Sequence, residues 1–182
     1  MTHINTHIGN VEPYKTTSQS GVTLMEMIAA LAIIAVIIVG SLALYNAATS
    51  SQSSTQMVQD VTTLRAATKQ LFLGQGSYGS ANLNSVLISA NRLPTTIRVA
   101  DATKGTLKHQ LNGDVTITGA TSQFTIKITD IPSDVCIPLL TNTTGWVQVS
   151  VGKTDVETFP VSPADAATDC GSGNQDITFT SN

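Results

Sequence analysis

The sharpest chemical question in this sequence belongs to one carboxylate. Glu26 stands in GVTLMEMIAALAIIAVIIVG, residues 21–40, where it is the only charge. At the centre of a bilayer an acidic side chain costs ~2.5 to 3.5 kcal/mol, and less near an end where it reaches the headgroups. Glu26 therefore either snorkels to the interface or meets a specific cation. The remaining reactive residues are sparse. Cys136 and Cys170 are the only cysteines, and such a pair forms one bridge in an oxidising compartment or two buried thiols elsewhere. Beyond the first 21 residues His109 is the only histidine, so Ser/His/Asp triads and His-based metal sites lack parts. Asp155, Glu157, Asp165 and Asp169 offer oxygens to calcium, but without EF-hand order, and read as a solvated acidic face. GQGSYG, residues 74–79, matches G-x-G-x-x-G in letters. It follows a helical pattern instead of a strand, which makes it a helix exit and not a dinucleotide loop. No catalytic residue, metal or cofactor is expected.

Charge narrows the partners. Nine Lys and Arg stand against twelve Asp and Glu among 182 residues, a balance with little to offer a phosphate backbone, so nucleic acid is not an expected partner. The net value of -3 hides an asymmetry. Residues 46–127 carry seven basic residues against three acids, a net of +4, whereas residues 128–182 carry seven acids against Lys153 alone, a net of -6.

The elements that position these groups follow from periodicity. Residues 1–20 are polar and hold no apolar core of their own, so they do not make a secretory signal. Val22 to Tyr45, VTLMEMIAALAIIAVIIVGSLALY, is about 36 Å long as a helix at ~1.5 Å per residue, enough to cross a bilayer. Lys15 and the α-amino group lie on its N-terminal side, and the next positive residue is Arg65. The C-terminal part is therefore expected outside, a location that favours a Cys136–Cys170 disulfide. Gly40-Ser41 is a weak point within the run, since Gly costs about 1 kcal/mol relative to Ala; close helix packing is one reason to keep it. After a small polar stretch, Met57, Val61, Leu64 and Leu71, with Val58 and Phe72 beside them, return at helical spacing. One helix is predicted from Thr23 to about Leu73, apolar all round and then amphipathic.

A short helix over Ser80 to Asn91 is predicted next. TLKHQLNGDVTITG reads as a hairpin about Asn112-Gly113, with His109 in a strand, and SQFTIKITDI as a half-buried strand. A short helix over Asp134 to Thr141 carries Cys136, and Trp146 to Val151 and Asp176 to Thr180 read as further strands. The fold class is α+β: a long N-terminal helix on a mainly antiparallel head.

Gly21-Val22-Thr23-Leu24-Met25-Glu26, followed by the apolar run, closely resembles the cleavage and assembly signature of type IV prepilins, G-x-T-L-x-E. The polar leader, a residue other than Phe after the glycine, and the C-terminal cysteine pair resemble the type IVb branch. The resemblance implies the type IV pilin fold, with a leader over 1–21, a membrane and filament-core helix over 22–45, its amphipathic continuation over 46–73, and a head over 74–182 whose region 136–170 is bounded by the disulfide. It implies a prepilin peptidase that cuts between Gly21 and Val22, a membrane-inserted precursor handled by inner-membrane assembly machinery, and a homopolymeric surface filament. Val22 then carries a new α-amino group, and Glu26 pairs with that amine on its own or a neighbouring subunit, setting register. Gly40 becomes a place of local unwinding in the filament. A pseudopilin of a type II secretion system shares the signature, and a membrane-tethered periplasmic enzyme would explain the apolar helix alone.

Overall fold

The computed structural model describes residues 21–182. Of the leader read over residues 1–21, residues 1–20 lie outside the described residues. Helix α1, Leu24–Leu71, runs unbroken for 48 residues, through Gly40 and through the Ser/Thr-rich stretch. The chain divides into two compact units at Leu42/Ala43. In the first, residues 24–42 form a helix of membrane-spanning length and composition.

In the second unit the same helix turns amphipathic. Met57, Val61, Leu64 and Thr68 are buried, at the i, i+4, i+7, i+11 spacing of one helix face. The Thr68 hydroxyl donates to the Leu64 carbonyl at 2.8 Å, so no donor is stranded. This stripe joins the core of a seven-stranded sheet.

The strands are β1 Arg98–Asp101, β2 Thr106–Lys108, β3 Asp114–Ala120, β4 Gln123–Pro132, β5 Gln148–Val151, β6 Thr154–Val156 and β7 Asn174–Ser181, with helices α2 Asn84–Ser89, α3 Ser133–Asn142 and α4 Pro163–Cys170 between them. The order is β1-β2-β3-β4-β7-β5-β6, every pair antiparallel. Register builds the core in rows. Leu107, Val115, Ile128, Ile177 and Val151 lie side by side across five strands, and Ile117, Ile126, Phe179, Val149 and Val156 form the row beside them. Burying each large member contributes roughly 1.5–3 kcal/mol.

The opposite face takes the alternate residues, among them Thr116, Thr118, Thr125, Lys127, Thr178 and Thr180. In β4 the alternation would fail at Ile131, three residues after Ile128. A bulge between them, with Asp130 at φ 57°, takes up the extra residue and keeps Ile131 inside.

Several expectations need correction. The predicted helix over Ser80 to Asn91 is shorter, because Asn82 forms a bridge with Thr118 and Leu83 donates to the Ile117 carbonyl before α2 begins. His109 is not in a strand. It opens a five-residue loop, 109–113, between β2 and β3, and its side chain is fully buried. Strands β1 and β6 and helix α4 were not foreseen: β1 and β6 are short edges with mostly exposed side chains, so no alternation marks them. Helix α4 carried a legible start, Ser162-Pro163 with Asp165. The Ser162 hydroxyl oxygen accepts from the Asp165 amide at 3.2 Å, as an N-cap does.

Cys136 in α3 and Cys170 at the end of α4 are bonded, with Cα atoms 5.9 Å apart and both side chains buried. The bridge closes 34 positions of chain, and the chain-entropy estimate for a loop of that size is about 4 kcal/mol. Reduction of the purified protein, or serine at either cysteine, should lower the melting temperature of the head by roughly 10 °C or more. Thermal unfolding with and without reductant checks this, and unchanged curves would refute it.

Candidate assembly surface

Two surfaces face outward with chemistry on them. The first is the apolar segment. Leu24 and Met25 are 80% exposed, and Val22, Ile28, Leu31, Ile34, Ile37, Val39 and Leu42 are exposed as well. None of the window that qualifies as a span is buried among the described residues. So large an apolar area lies in hydrocarbon or against other protein.

Glu26 sits in the first turn of α1, and its local geometry contains something the composition does not show. The Glu26 amide donates to the Thr23 hydroxyl oxygen at 3.3 Å and to the Thr23 carbonyl at 3.0 Å, and the Met27 amide donates to the same carbonyl at 3.1 Å. Thr23 is thus the N-cap and Glu26 stands three residues on, the T-x-x-E order of a capping box. The signal T-x-x-E was present in the sequence and went unread. A carboxylate at this end is also favoured by the helix dipole, worth typically 0.3–1 kcal/mol. Val22 immediately precedes the cap, so an α-amino group created there would lie at the same helix end as Glu26.

The second surface belongs to the head, which is fastened to residues 45–71 of α1 by polar contacts. Ser50 donates to an Asp134 carboxylate oxygen at 2.5 Å, and the Gln110 amide donates to the Ser53 carbonyl at 2.9 Å. Thr96 and Gln56 both donate to Asp60 Oδ1, at 2.5 and 3.0 Å, while Asp60 Oδ2 is buried without a partner among the described residues. Higher up, Arg92 reaches the Gln70 side chain at 3.3 Å.

Arg65 is the densest of these anchors. Its guanidinium donates to the Ser181 hydroxyl at 3.0 Å and to the Thr144 and Gly145 carbonyls, and it lies 4.8 Å from the Trp146 ring centroid. Trp146 in turn packs 5.0 Å from Phe179. Helix α1, the loop before β5 and the last strand therefore meet at one side chain. Sequence reading treated Arg65 as a topology charge and missed this role, because its partners are backbone carbonyls 79 and 80 positions away.

Charge is distributed by position in the sheet. The β1 edge carries Arg98, which donates to the Asn112 side chain at 3.1 Å, and Lys104 nearby, 3.9 Å from Asp101 and mostly exposed. The β6 edge, at the other end of the sheet, forms with α4 a cavity of about 300 Å³ that includes Asp155, Glu157, Asp165 and Asp169 in its wall. Among the described residues no Lys or Arg lines it. Among the described residues no group of three or more His, Cys, Asp or Glu is arranged to hold a metal ion. The GQGSYG segment leaves α1 and is held by Tyr78, whose ring lies 5.4 Å from Phe72 and 4.9 Å from Phe124. It is a packed helix exit.

The described residues thus combine an exposed apolar helix of membrane-spanning length, with a capped acidic first turn, and a disulfide-stapled antiparallel head. The PilS N terminal family model matches residues 50–182, and the Prokaryotic N-terminal methylation motif matches residues 16–42. The chain is 30% identical to the toxin coregulated pilin of Vibrio cholerae serotype O1 over 86% of its own length and 75% of that protein's. It is 22% identical to the major structural subunit of bundle-forming pilus from Escherichia coli O127:H6, over 84% and 88% of the two chains. In fold it is similar to a crystal structure of TcpA, a type IV pilin from Vibrio cholerae El Tor biotype: TM-score 0.53 at 14% identity, covering 72% of this chain and 99% of that one. The chain belongs to the type IV pilins, in their type IVb branch, and is a pilus subunit.

Truncating Arg65 to Ala removes a charged donor from several acceptors and a cation from an indole face. Hydrogen bonds to charged groups are worth ~1.5–3 kcal/mol each, so the head should lose at least 2 kcal/mol. Arg65→Lys, unable to span these acceptors as a planar fork, should recover less than half of that. Denaturant unfolding measures both, and a Lys variant as stable as wild type would show that only the charge matters.

Proposed function

We propose that this chain is the major structural subunit of a type IVb pilus, a polymer-forming protein and not an enzyme. It is cleaved by prepilin peptidase after Gly21 and passes from the inner membrane, through the assembly machinery, into a surface filament used for adhesion, aggregation or conjugative mating. The observation that carries this reading is the fully exposed apolar helix beginning at a capped Glu26. A single span would need only hydrophobicity. A polymer needs in addition a charge that fixes where one helix stops against the next, and Glu26 with the α-amino group of Val22 supplies one in surroundings of low dielectric.

The heads add a second element of order. The basic residues Arg92, Arg98 and Lys104 dock against the acidic cavity wall of Asp155, Glu157, Asp165 and Asp169 on a neighbour. Because two different surfaces meet, the contact is heterologous and repeats without closing. Each exposed pair is worth only ~0 to 1 kcal/mol, so orientation and repetition matter more than strength.

Glu26→Gln separates the two roles of that residue. Glutamine still fits a capping box but carries no charge, so the protein should insert and be cleaved to a Val22 N-terminus while filaments are reduced at least tenfold. Glu26→Ala should be no better. Electron microscopy of sheared filaments with N-terminal mass analysis reads both; wild-type piliation by Glu26→Gln would overturn the registration role.

Filaments should also loosen as salt rises from about 0.05 to about 1 M, where the Debye length falls to ~3 Å. Arg92→Glu with Arg98→Glu should impair assembly while leaving the head folded. Sedimentation of filaments across that range checks the docking, and indifference to salt and to both reversals would remove it.

A further inference from the structure

We propose that His109 is an acid-sensitive latch, which holds the loop of residues 109–113 against helix α1 when neutral and releases it when protonated. The ring is fully buried and bonded at both nitrogens. Nε2 lies 2.8 Å from the Thr129 carbonyl, which can only accept, and the Leu111 amide, which can only donate, points to Nδ1 at 3.2 Å. These partners select the neutral tautomer with its proton on Nε2. A proton added at Nδ1 sets donor against donor, and the Leu111 bond is lost.

The loop is built around the ring. His109 and Gly113 are paired by a backbone bond of 3.1 Å, the Asn112 amide returns to the His109 carbonyl at 2.9 Å, and a Cβ at Gly113 would run into the ring and the Thr129 carbonyl. Between the ring and Gly113 lie the two residues that touch α1's side of the head. Gln110 donates to the Ser53 carbonyl, and Leu111 lines a cavity of about 310 Å³ together with Tyr45, Thr49, Ser53 and Val135. Freeing the Leu111 amide therefore loosens the clamp on Ser53 and opens that cavity.

The surrounding charges do not cancel the effect. Burial pulls the His109 pKa below its ordinary value, Lys108 pulls the same way, and the Thr129 bond, Asp130 and Asp114 oppose them. Asp134, on α3 beside the same cavity, is engaged by Ser50, and Arg98 from β1 reaches the loop only at Asn112. No charged residue lies between positions 45 and 59 of α1. With the closed-state pKa lowered, the closed loop is fully stable above the ordinary imidazole value of about 6.5 and loses stability as pH falls below it, by up to tenfold in the opening constant per pH unit.

Hydrogen exchange on the detergent-solubilised full-length chain, corrected for the intrinsic pH dependence, tests this between about pH 7.5 and about pH 4.5, above the usual Asp range. The peptide containing residues 109–113 should lose protection by about tenfold or more, while β4 and β7 stay protected. His109→Gln offers a donor and an acceptor without a titrating proton, and its loop should be indifferent to pH. Should that variant fail to fold, ring ¹⁵N shifts of wild type must show the Nε2–H form at neutral pH and a pKa below 6.5. A loop that stays closed at the acid end, an equal pH response in His109→Gln, or a ring pKa at or above 6.5 would overturn the latch. Its consequence for polymers rests on the pilus reading, so filament sedimentation at the two pH values is scored separately from loop opening.

Discussion

The constraint on which the rest depends is a helix whose first 19 residues are left unburied among the described residues. A backbone that enters hydrocarbon must satisfy its own hydrogen bonds, and a helix does so without help. The side chains are then left to find a surrounding, and residues 24–42 present apolar groups on every side. Lipid and a bundle of like helices are chemically similar surroundings for such a segment. Apolar contact alone does not distinguish them, nor does it fix one helix against another. The one charge in this segment, Glu26, stands in a first turn capped by Thr23. At the third position from the N-cap its carboxylate sits near the positive end of the helix dipole, which favours a negative charge there.

The head solves the opposite problem. Its sheet is closed by the last strand of the chain: β7 lies between β4 and β5 and contributes Ile177 and Phe179 to both buried rows. The central pairing therefore cannot form until residues 133–173 have been placed, and that is the stretch the Cys136–Cys170 bridge gathers. Arg65 ties the same strand, through Ser181, to α1. Disulfide and guanidinium thus act on one long-range junction from two directions, one by limiting the unfolded chain and the other by bonding the folded one.

What was legible in the sequence is what has a local cause. The helix from Thr23 to about Leu73 came from period and the absence of Pro and Gly between Ser41 and Leu73, and it is found as Leu24–Leu71. Strand β4 is read from alternation, β3 from a β-prone run beside Asn112-Gly113, and β5 and β7 from short β-prone runs; all four are found. What was not legible has a distant cause. The bulge at Asp130 is needed only because Ile131 must rejoin a core set by other strands. His109 was placed in a strand by its β-prone neighbours, whereas its position is decided by Thr129, twenty positions on. Gly21, Val22 and Glu26 stand together in a contiguous signature, while the acidic wall is scattered in sequence between 155 and 169 and gathers only when α4 packs beside β6.

The polar stretch after Tyr45 shows why composition alone misleads. NAATSSQSSTQ has the small polar residues of a flexible linker, yet it is helical throughout. Its hydroxyls turn back onto their own helix: Thr49 to the Tyr45 carbonyl, Ser54 to Ser50 and Thr55 to Ser51, at 2.8–3.0 Å. Such back-bonding costs an isolated helix a little, but it leaves side chains that are short and internally satisfied. Bulky apolar residues here would extend the membrane span, and charged ones would resist close approach. From the same stretch Ser50 donates to Asp134 and the Ser53 carbonyl accepts from Gln110, and these contacts fasten the head to it. The composition that reads as slack is thus compatible with one continuous helix.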